Sequence, residues 1–219
     1  MRSVRRQVHA FLCGLLAWLS VLSVPTVISS ARAEVDSAQL TREELGRLQA
    51  GQLVQRPAVK LRAGVKLMGG SSWQLINASP EVVWAALLDT PRYPRMMPQV
   101  IEAKLVATRD DQRTVFMRQG SAGLLEAKYH LKVKVDAVRR GLTFSVDDRL
   151  PHEVLEAVWG FYNVQPYGQG KTLLAYGVMA DIRGGVLGSV LRGSMHEWML
   201  RTPWMIKRFV EGSGRWIYH

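Results

Sequence analysis

The clearest pattern in the chain is a strict alternation of apolar and polar residues over positions 128–135. The apolar members are Tyr129, Leu131, Val133 and Val135, and the polar members are Lys128, His130, Lys132 and Lys134. Successive side chains of a β-strand point to opposite faces of its sheet, so this segment predicts a strand with one covered face and one wet face.

Similar runs follow one another through the middle of the chain, at 100–109, 112–120, 124–138, 141–149, 153–164 and 171–180. Turn-forming residues separate them, as at Asp110-Asp111, Arg140-Gly141 and Gly168-Gln169-Gly170. Short strands divided by such turns predict one antiparallel meander. A further strand is predicted just ahead of it, over residues 71–78.

Two short helices are predicted before the meander. Thr41 and Glu44 have the spacing of a capping box, which predicts a helix over 41–50. Ser79-Pro80-Glu81 offers an N-cap, a proline at the first helical position and an early acid, so a second helix begins there and Thr90-Pro91 ends it. Three prolines within 91–98 then leave room for one helical turn at most.

The end of the chain has the period of a helix. Residues 186–211 predict one long helix whose apolar side chains share a narrow arc: Leu187, Leu191, Met195, Trp198, Met205 and Phe209. Pro203 falls on the polar side of this helix, where a bend is best tolerated. Pro57 and Gly69-Gly70 interrupt the pattern after the first helix, so residues 52–70 are predicted to form an extended arm leading into the domain.

The first 33 residues have the features of a secretory signal peptide. Arg2, Arg5 and Arg6 precede an apolar run from Ala10 to Val24, and a small-x-small cleavage pattern follows at 31–33. Cleavage after Ala33 predicts a periplasmic or secreted protein, exported by the general route rather than the twin-arginine route. Retention as an N-terminal anchor is the alternative. Beyond this segment 25 basic and 18 acidic residues remain, a net charge of +7, and no cysteine, because Cys13 is the only one.

The order of these elements, together with particular residues, resembles a known family. Residues 76–84, with the sequence Ile-Asn-Ala-Ser-Pro-Glu-Val-Val-Trp, are followed by Asp89, Tyr93-Pro94 and Met97-Pro98, and Phe161–Pro166 precede a Gly-Gln-Gly turn. They resemble the polyketide cyclase and coenzyme Q-binding START-domain family of the START-like (SRPBCC) superfamily. The resemblance covers about residues 71–212.

The resemblance implies an α+β helix-grip fold, in which a curved antiparallel sheet wraps around the long C-terminal helix. The expected organisation is a signal peptide over 1–33, an N-terminal extension with a short helix over 34–70, and a START-like domain over 71–219. The family includes lipid carriers, quinone-binding proteins, aromatic cyclases and hormone receptors, and fold alone does not choose among them.

A curved sheet gripped by one helix leaves an apolar cleft between them, which is the usual form of a small-molecule site. The residues expected to bind a ligand there are aromatic, methionine or cationic side chains near the cleft. They are Tyr93, Met96, Met97, Tyr129, Phe144, Trp159, Phe161, Met195, Trp198 and Arg201. For each methionine, ordinary core packing is the alternative to ligand contact. The faces assigned to the strand residues depend on register, because a slip of one residue reverses them.

No pattern of catalytic or metal-binding residues stands out. His130, His152 and His196 are scattered over different elements, no nucleophile elbow occurs, and Asp147, Asp148 and Glu153 are expected to be solvated turn residues. We therefore predict no metal, no cofactor and no catalytic residue. An enzyme of the cyclase or dehydratase type remains an alternative, with Tyr129, His130 or Tyr162 as its acid or base.

The polar face of the 124–138 strand, with Arg139-Arg140 after it, forms a basic stripe defined by Lys128, His130, Lys132 and Lys134. It is either an ordinary solvated face or a contact for an anionic membrane surface, and export makes nucleic acid an unsuitable partner. The sequence thus predicts an exported protein that sequesters or carries a hydrophobic, lipid-like molecule. The alternatives are the enzyme and an envelope interaction module with a filled core.

Overall fold

The alternating segments form eight strands. In the computed structural model, which describes residues 40–62, 65–120, 126–153, 155–182 and 198–218, the strands are β1 (Val54–Arg62), β2 (Val65–Ile76), β3 (Val100–Arg109), β4 (Gln112–Gly120), β5 (Glu126–Asp136), β6 (Gly141–Val146), β7 (Leu155–Pro166) and β8 (Thr172–Ile182). They pair in one curved antiparallel sheet in the order β1-β2-β8-β7-β6-β5-β4-β3. The predicted meander from 100 to 180 is confirmed.

Helices occupy the predicted places. They are α1 (Arg42–Gln49), α2 (Pro80–Leu88), a 3-10 turn (Thr90–Arg92), α3 (Tyr93–Met96), α4 (Thr202–Glu211) and α5 (Arg215–Tyr218). The capping box before α1 is present, since the amide of Glu44 donates to Thr41 Oγ1 and the amide of Thr41 donates to Glu44 Oε2. The Pro-rich segment holds a single helical turn, α3, as its prolines require.

Residues 54–62 and 65–70 do not form an extended arm, because they belong to the sheet. Pro57 lies in β1, which is an edge strand of the sheet. An edge strand tolerates a proline because the open side of the strand has no neighbour to which a backbone amide would donate. Gly69 and Gly70 lie inside β2, where a Cβ would collide with the backbone of β8 and of β1 respectively. The sheet therefore uses the residues that normally break a strand, and its domain begins before residue 71.

Both faces of the sheet are covered in part. The main core lies on the concave face and combines α2, α3 and α4 with inward residues of the strands. A second cluster lies on the opposite, convex face, where Leu48 of α1 packs with Val54, Trp73, Leu75 and Leu173. The expectation of one wet face holds for β5, but it is wrong for the part of the sheet that α1 covers.

The described part of the C-terminal helix is interrupted. Residues 198–200 are helical, Arg201 intervenes, and α4 begins at Thr202 with Pro203 in its first turn. Pro203 is buried and does not lie on a polar side of the helix. The amides of the first helical turn have no partner within the helix, so a proline there loses no hydrogen bond and can pack inward. Ile206, Phe209 and Val210 anchor α4 in the main core.

Two further predictions concern parts of the chain that lie outside the described residues. These are the signal peptide over 1–33 and the helix over 186–197, including Met195. Within the described ranges, no helix is both long enough and apolar enough to cross a membrane.

Candidate functional site

An apolar cavity of about 110 Å³ lies between the concave face of the sheet and the residues that precede α4. Its wall on the sheet is formed by alternate residues of β4 to β8: Met117, Gln119, Tyr129, Leu131, Val133, Leu142, Phe144, Val158, Tyr162, Tyr176, Val178 and Ala180. Tyr93, Met97, Pro98 and Val100 close one side, and Trp198, Met199 and Thr202 close another. The volume is similar to that of engineered cavities of about 150 Å³ that take up benzene.

The strand register explains which side chains reach the cavity. Tyr162 pairs with Tyr176, and Val158 pairs with Ala180, across β7 and β8. Residues paired across antiparallel strands share a face, so all four project to the concave side. The even-numbered positions of β7 therefore line the cavity.

Three aromatic rings form the centre of the wall. Tyr162 and Tyr176 have ring centroids 4.8 Å apart, and Phe144 lies 5.8 Å from Tyr162 and 6.4 Å from Tyr176. The Phe144 ring lies over Gly160, where a Cβ would collide with it. The glycine thus leaves the space in which this aromatic cluster packs.

Hydroxyl groups are the main polar atoms of the wall, and most have protein partners. Tyr129 donates to Gln119 Oε1 at 2.5 Å, and Gln119 Nε2 donates to the carbonyl of Pro98 at 2.9 Å. Tyr93 donates to the carbonyl of Leu87 at 2.8 Å. Tyr162 donates no hydrogen bond to any described residue, so its hydroxyl can serve a bound molecule.

These tyrosines stay neutral at physiological pH. Burial raises the pKa of Tyr93 to about 12. Burial also raises the pKa of Tyr129, Tyr162 and Tyr176 well above the usual range, and neighbouring tyrosines add to the shift at Tyr129 and Tyr162. A neutral phenol can donate or accept a hydrogen bond but is a poor base.

The described lining contains no carboxylate, imidazole, guanidinium or amine. Over the same described ranges, no three metal-ligating side chains come together. The described lining therefore offers apolar surface and neutral hydrogen-bonding groups rather than an acid–base pair.

Five of the residues predicted to bind a ligand line the cavity: Tyr93, Met97, Tyr129, Phe144 and Trp198. Met96 is fully buried in the core beside Met97 and does not reach the cavity. That the five cavity residues contact a ligand stays a prediction.

Trp159 and Phe161 lie on the opposite face, so their assignment to the concave face is wrong. Phe161 packs against the convex cluster under α1, and its ring lies over Gly177. The physical reason is that successive side chains of a strand point to opposite faces of the sheet. Because Val158 and Tyr162 face the cavity, the odd-numbered side chains of β7 face the convex side. Arg201 is exposed at the N-terminus of α4 and does not line the cavity either.

Two of the candidate catalytic residues lie on opposite faces of the sheet. Tyr162 belongs to the cavity, whereas the ring of His130 packs 5.3 Å from that of Phe116 on the convex face. Tyr176 and Gln119 line the wall but were not predicted from the sequence. Gly160 and Gly177 could have indicated where aromatic rings pack on the sheet, since a glycine inside a strand often marks close packing by a neighbour.

The basic stripe is partly neutralised. Lys132 Nζ lies 3.1 Å from Asp147 Oδ1, and Lys134 Nζ lies 3.5 Å from Asp111 Oδ2. Asp147 is buried, contrary to the expectation of a solvated turn residue, because Lys132 and Arg149 both bind its carboxylate. The stripe therefore carries less net charge than its sequence suggests.

The fold and the cavity together define a START-like, helix-grip protein. A family model described as polyketide cyclase / dehydrase and lipid transport matches residues 76–202, more than half of the chain. The chain belongs to this family. No protein of curated function matches the chain.

Solved structures share the architecture at low identity. The Zhui aromatase/cyclase from Streptomyces sp. R1128 is 14% identical with a TM-score of 0.56, covering 68% of this chain and 94% of its own. A STAR-related lipid transfer protein from Xanthomonas axonopodis is 15% identical with a TM-score of 0.56, covering 72% and 99%. Human STARD10 is 12% identical with a TM-score of 0.56, covering 74% and 75%. At these identities the likeness shows the fold alone.

Proposed function

We propose that the protein is exported and binds one neutral, hydrophobic, lipid-like molecule in the cavity between the sheet and the C-terminal helix. The observation that carries this proposal is the composition of the described wall, which is apolar and aromatic with neutral hydroxyls and no charged side chain. Burying apolar ligand surface there favours binding by about 25 cal/mol per Å² before the ordering terms are subtracted.

The polar part of the ligand is expected to face Tyr162. Its ring packs beside those of Phe144 and Tyr176, and its neutral hydroxyl has no acceptor among the described residues. A carbonyl or hydroxyl oxygen on the ligand would satisfy this donor, whereas a carboxylate would meet no cation on the described wall. A neutral oxygen-bearing ligand therefore fits better than a fatty-acid anion.

The cavity is small for a lipid, since drug-sized ligands usually occupy clefts of about 300–1,000 Å³. A larger molecule must displace side chains on the wall. Met97, Met117 and Met199 can make room, because methionine changes rotamer at little cost.

Ala180→Phe tests the proposal, because the added ring projects from the wall into a cavity of about 110 Å³. The variant should bind a neutral apolar probe such as N-phenyl-1-naphthylamine at least about tenfold more weakly, as overpacking removes the space for it. Binding is measured by fluorescence titration, and thermal unfolding verifies that the variant is folded.

The matched control is Met179→Leu, one residue away on the other face of β8, which conserves volume and should leave probe binding unchanged. Equal probe binding by wild type and a folded Ala180→Phe would remove the cavity as the binding site.

A cyclase or dehydratase remains the second candidate, because the family description names these activities and the tyrosine hydroxyls face the cavity. Turnover would have to use a neutral phenol as an acid, or a group outside the described lining. Product formation by wild type that is lost in Tyr162→Phe, with probe binding retained, would favour the enzyme.

A further inference from the structure

The β1–β2 hairpin presents apolar side chains to solvent at the edge of the sheet. Val59 is 50% exposed and Leu61 is 79% exposed. They are two residues apart on β1, so they project to the same side of the strand. Large apolar side chains exposed side by side on an edge strand indicate a surface that contacts something else.

The stretch of sequence around the hairpin is rich in basic residues. Residues 45–80 contain five basic residues and no acidic residue: Arg47, Arg56, Lys60, Arg62 and Lys66. Arg56 is paired with Glu44, but Lys60 is exposed and forms no ion pair with a described carboxylate. The hairpin thus keeps a positive charge that the basic stripe on β5 partly loses to Asp111 and Asp147.

We infer that the β1–β2 hairpin docks on the surface of an anionic lipid bilayer. Val59 and Leu61 enter the interface between headgroups and acyl chains, while the exposed Lys60 is attracted by lipid phosphates. The pairing of exposed apolar side chains with unbalanced positive charge fits a lipid surface better than a nucleic acid, which offers no apolar phase.

The position of the hairpin relates this surface to the cavity. Val59 pairs with Met68 across β1 and β2, and Met68 pairs with Ala180 of the cavity wall across β2 and β8. Cross-strand partners share a face, so an apolar row runs from the exposed edge to the wall. Docking goes beyond the proposed ligand binding and does not require it.

Vesicle co-sedimentation tests the docking, with the protein purified in the form that its own cells produce. Vesicles of equal parts phosphatidylcholine and phosphatidylglycerol are compared with vesicles of phosphatidylcholine alone. Leu61→Asn should weaken binding to the anionic vesicles about tenfold, because it removes the more exposed of the two apolar side chains on β1. Lys60→Gln should weaken it about fivefold and reduce its salt dependence.

The controls carry the same substitutions elsewhere. Val138 is 93% exposed and precedes Arg139-Arg140, so Val138→Asn removes an apolar group that is exposed even more than Leu61 and also lies beside positive charge. Lys171→Gln removes an exposed lysine from the β7–β8 turn. Both should bind like wild type, and any contribution from the N-terminal segment is equal in all variants.

A positional label gives an independent readout. An environment-sensitive dye at Leu61→Cys, in a Cys13→Ser background, should shift to the blue with anionic vesicles, and the same dye at Val138→Cys should not. Unchanged binding in Leu61→Asn and Lys60→Gln, equal binding to both vesicle types, or a dimer that Leu61→Asn dissociates without any vesicle binding would each overturn the inference. Tighter binding to DNA than to anionic vesicles would overturn it as well.

Probe uptake separates this inference from the proposed function. Val59 and Leu61 do not line the cavity, so Leu61→Asn should take up N-phenyl-1-naphthylamine as wild type does. Loss of docking with normal probe uptake supports the hairpin as a separate surface. If Ala180→Phe does not change probe uptake, the proposed cavity site is wrong and the docking inference is unaffected.

Discussion

Asp147 shows how the environment of a single residue is set by one partner close in sequence and another on a different strand. It directly follows β6, and its carboxylate binds Lys132 of β5 and both the side chain and the amide of Arg149. Asp147 is 2% exposed, whereas its neighbour Asp148 is exposed. The two adjacent acids look alike in sequence, and the contacts that Lys132 and Arg149 make with Asp147 in the fold distinguish them.

The Arg149 and Lys132 side chains hold the pKa of Asp147 well below its usual range. A depressed carboxyl pKa contributes stability that is present above the unfolded pKa of about 3.9 and is lost as the pH falls towards the folded value. Asp147→Asn should therefore lower the free energy of unfolding by about 1–2 kcal/mol at pH 7, and the difference from wild type should shrink below about pH 4.

Denaturant unfolding at a series of pH values measures this difference. Asp148→Asn is the matched control, and it should stay within about 0.5 kcal/mol of wild type at every pH because its side chain is exposed. A constant difference for Asp147→Asn from pH 7 to pH 2 would show that the ion pairs do not stabilise the fold.

At the scale of the strand, β7 and β8 place two glycines under two aromatic rings on opposite faces. Phe144 of β6 lies over Gly160 on the cavity side, and Phe161 of β7 lies over Gly177 on the convex side. Both glycines face the ring of a neighbouring strand, so comparing them separates stability from binding, although a Cβ at Gly160 would also collide with the backbone carbonyl of Gly177.

Gly160→Ala and Gly177→Ala should both destabilise the protein, by about 1–3 kcal/mol, because each new Cβ forces a packed ring to move, and Gly160→Ala should cost more because its Cβ also meets the carbonyl of Gly177. Only Gly160→Ala should also weaken uptake of the neutral probe, since the displaced Phe144 ring enters the cavity. Thermal unfolding and probe titration at a temperature where both variants are folded measure the two effects. Equal probe affinity in the two variants would contradict the assignment of Phe144 to the binding wall.

The same elements show what sequence can predict here. Strand positions from 100 to 180 followed from local turns, because hairpin signals need no knowledge of distant residues. The face of β7 did not follow, since its aromatic residues Trp159, Phe161 and Tyr162 occur at both parities and only pairing with β8 decides between them. β1 was missed because Pro57 is tolerated only by virtue of its edge position, which is a property of the whole sheet.

At the scale of the whole molecule, the described strands form one sheet whose two faces differ in structure. The concave face holds the cavity, and the convex face is covered by α1 over β1 and β2 while β5 keeps charged pairs there. α1 is tied to the sheet by the bidentate pair of Arg56 with Glu44, which lowers the pKa of Glu44 to about 2. Those residues of the predicted extension that form α1, β1 and the start of β2 are thus structural parts of the domain.

The central claim is that this cavity holds a neutral hydrophobic molecule in the exported protein. The most direct measurement is native mass spectrometry of wild type and Ala180→Phe recovered from their own cells, followed by organic extraction of whatever is bound. We predict a chain that lacks residues 1–33, with one neutral, oxygen-bearing lipid-like molecule bound in wild type and none in Ala180→Phe. A wild-type protein that carries no such molecule and takes up no apolar probe would contradict the account.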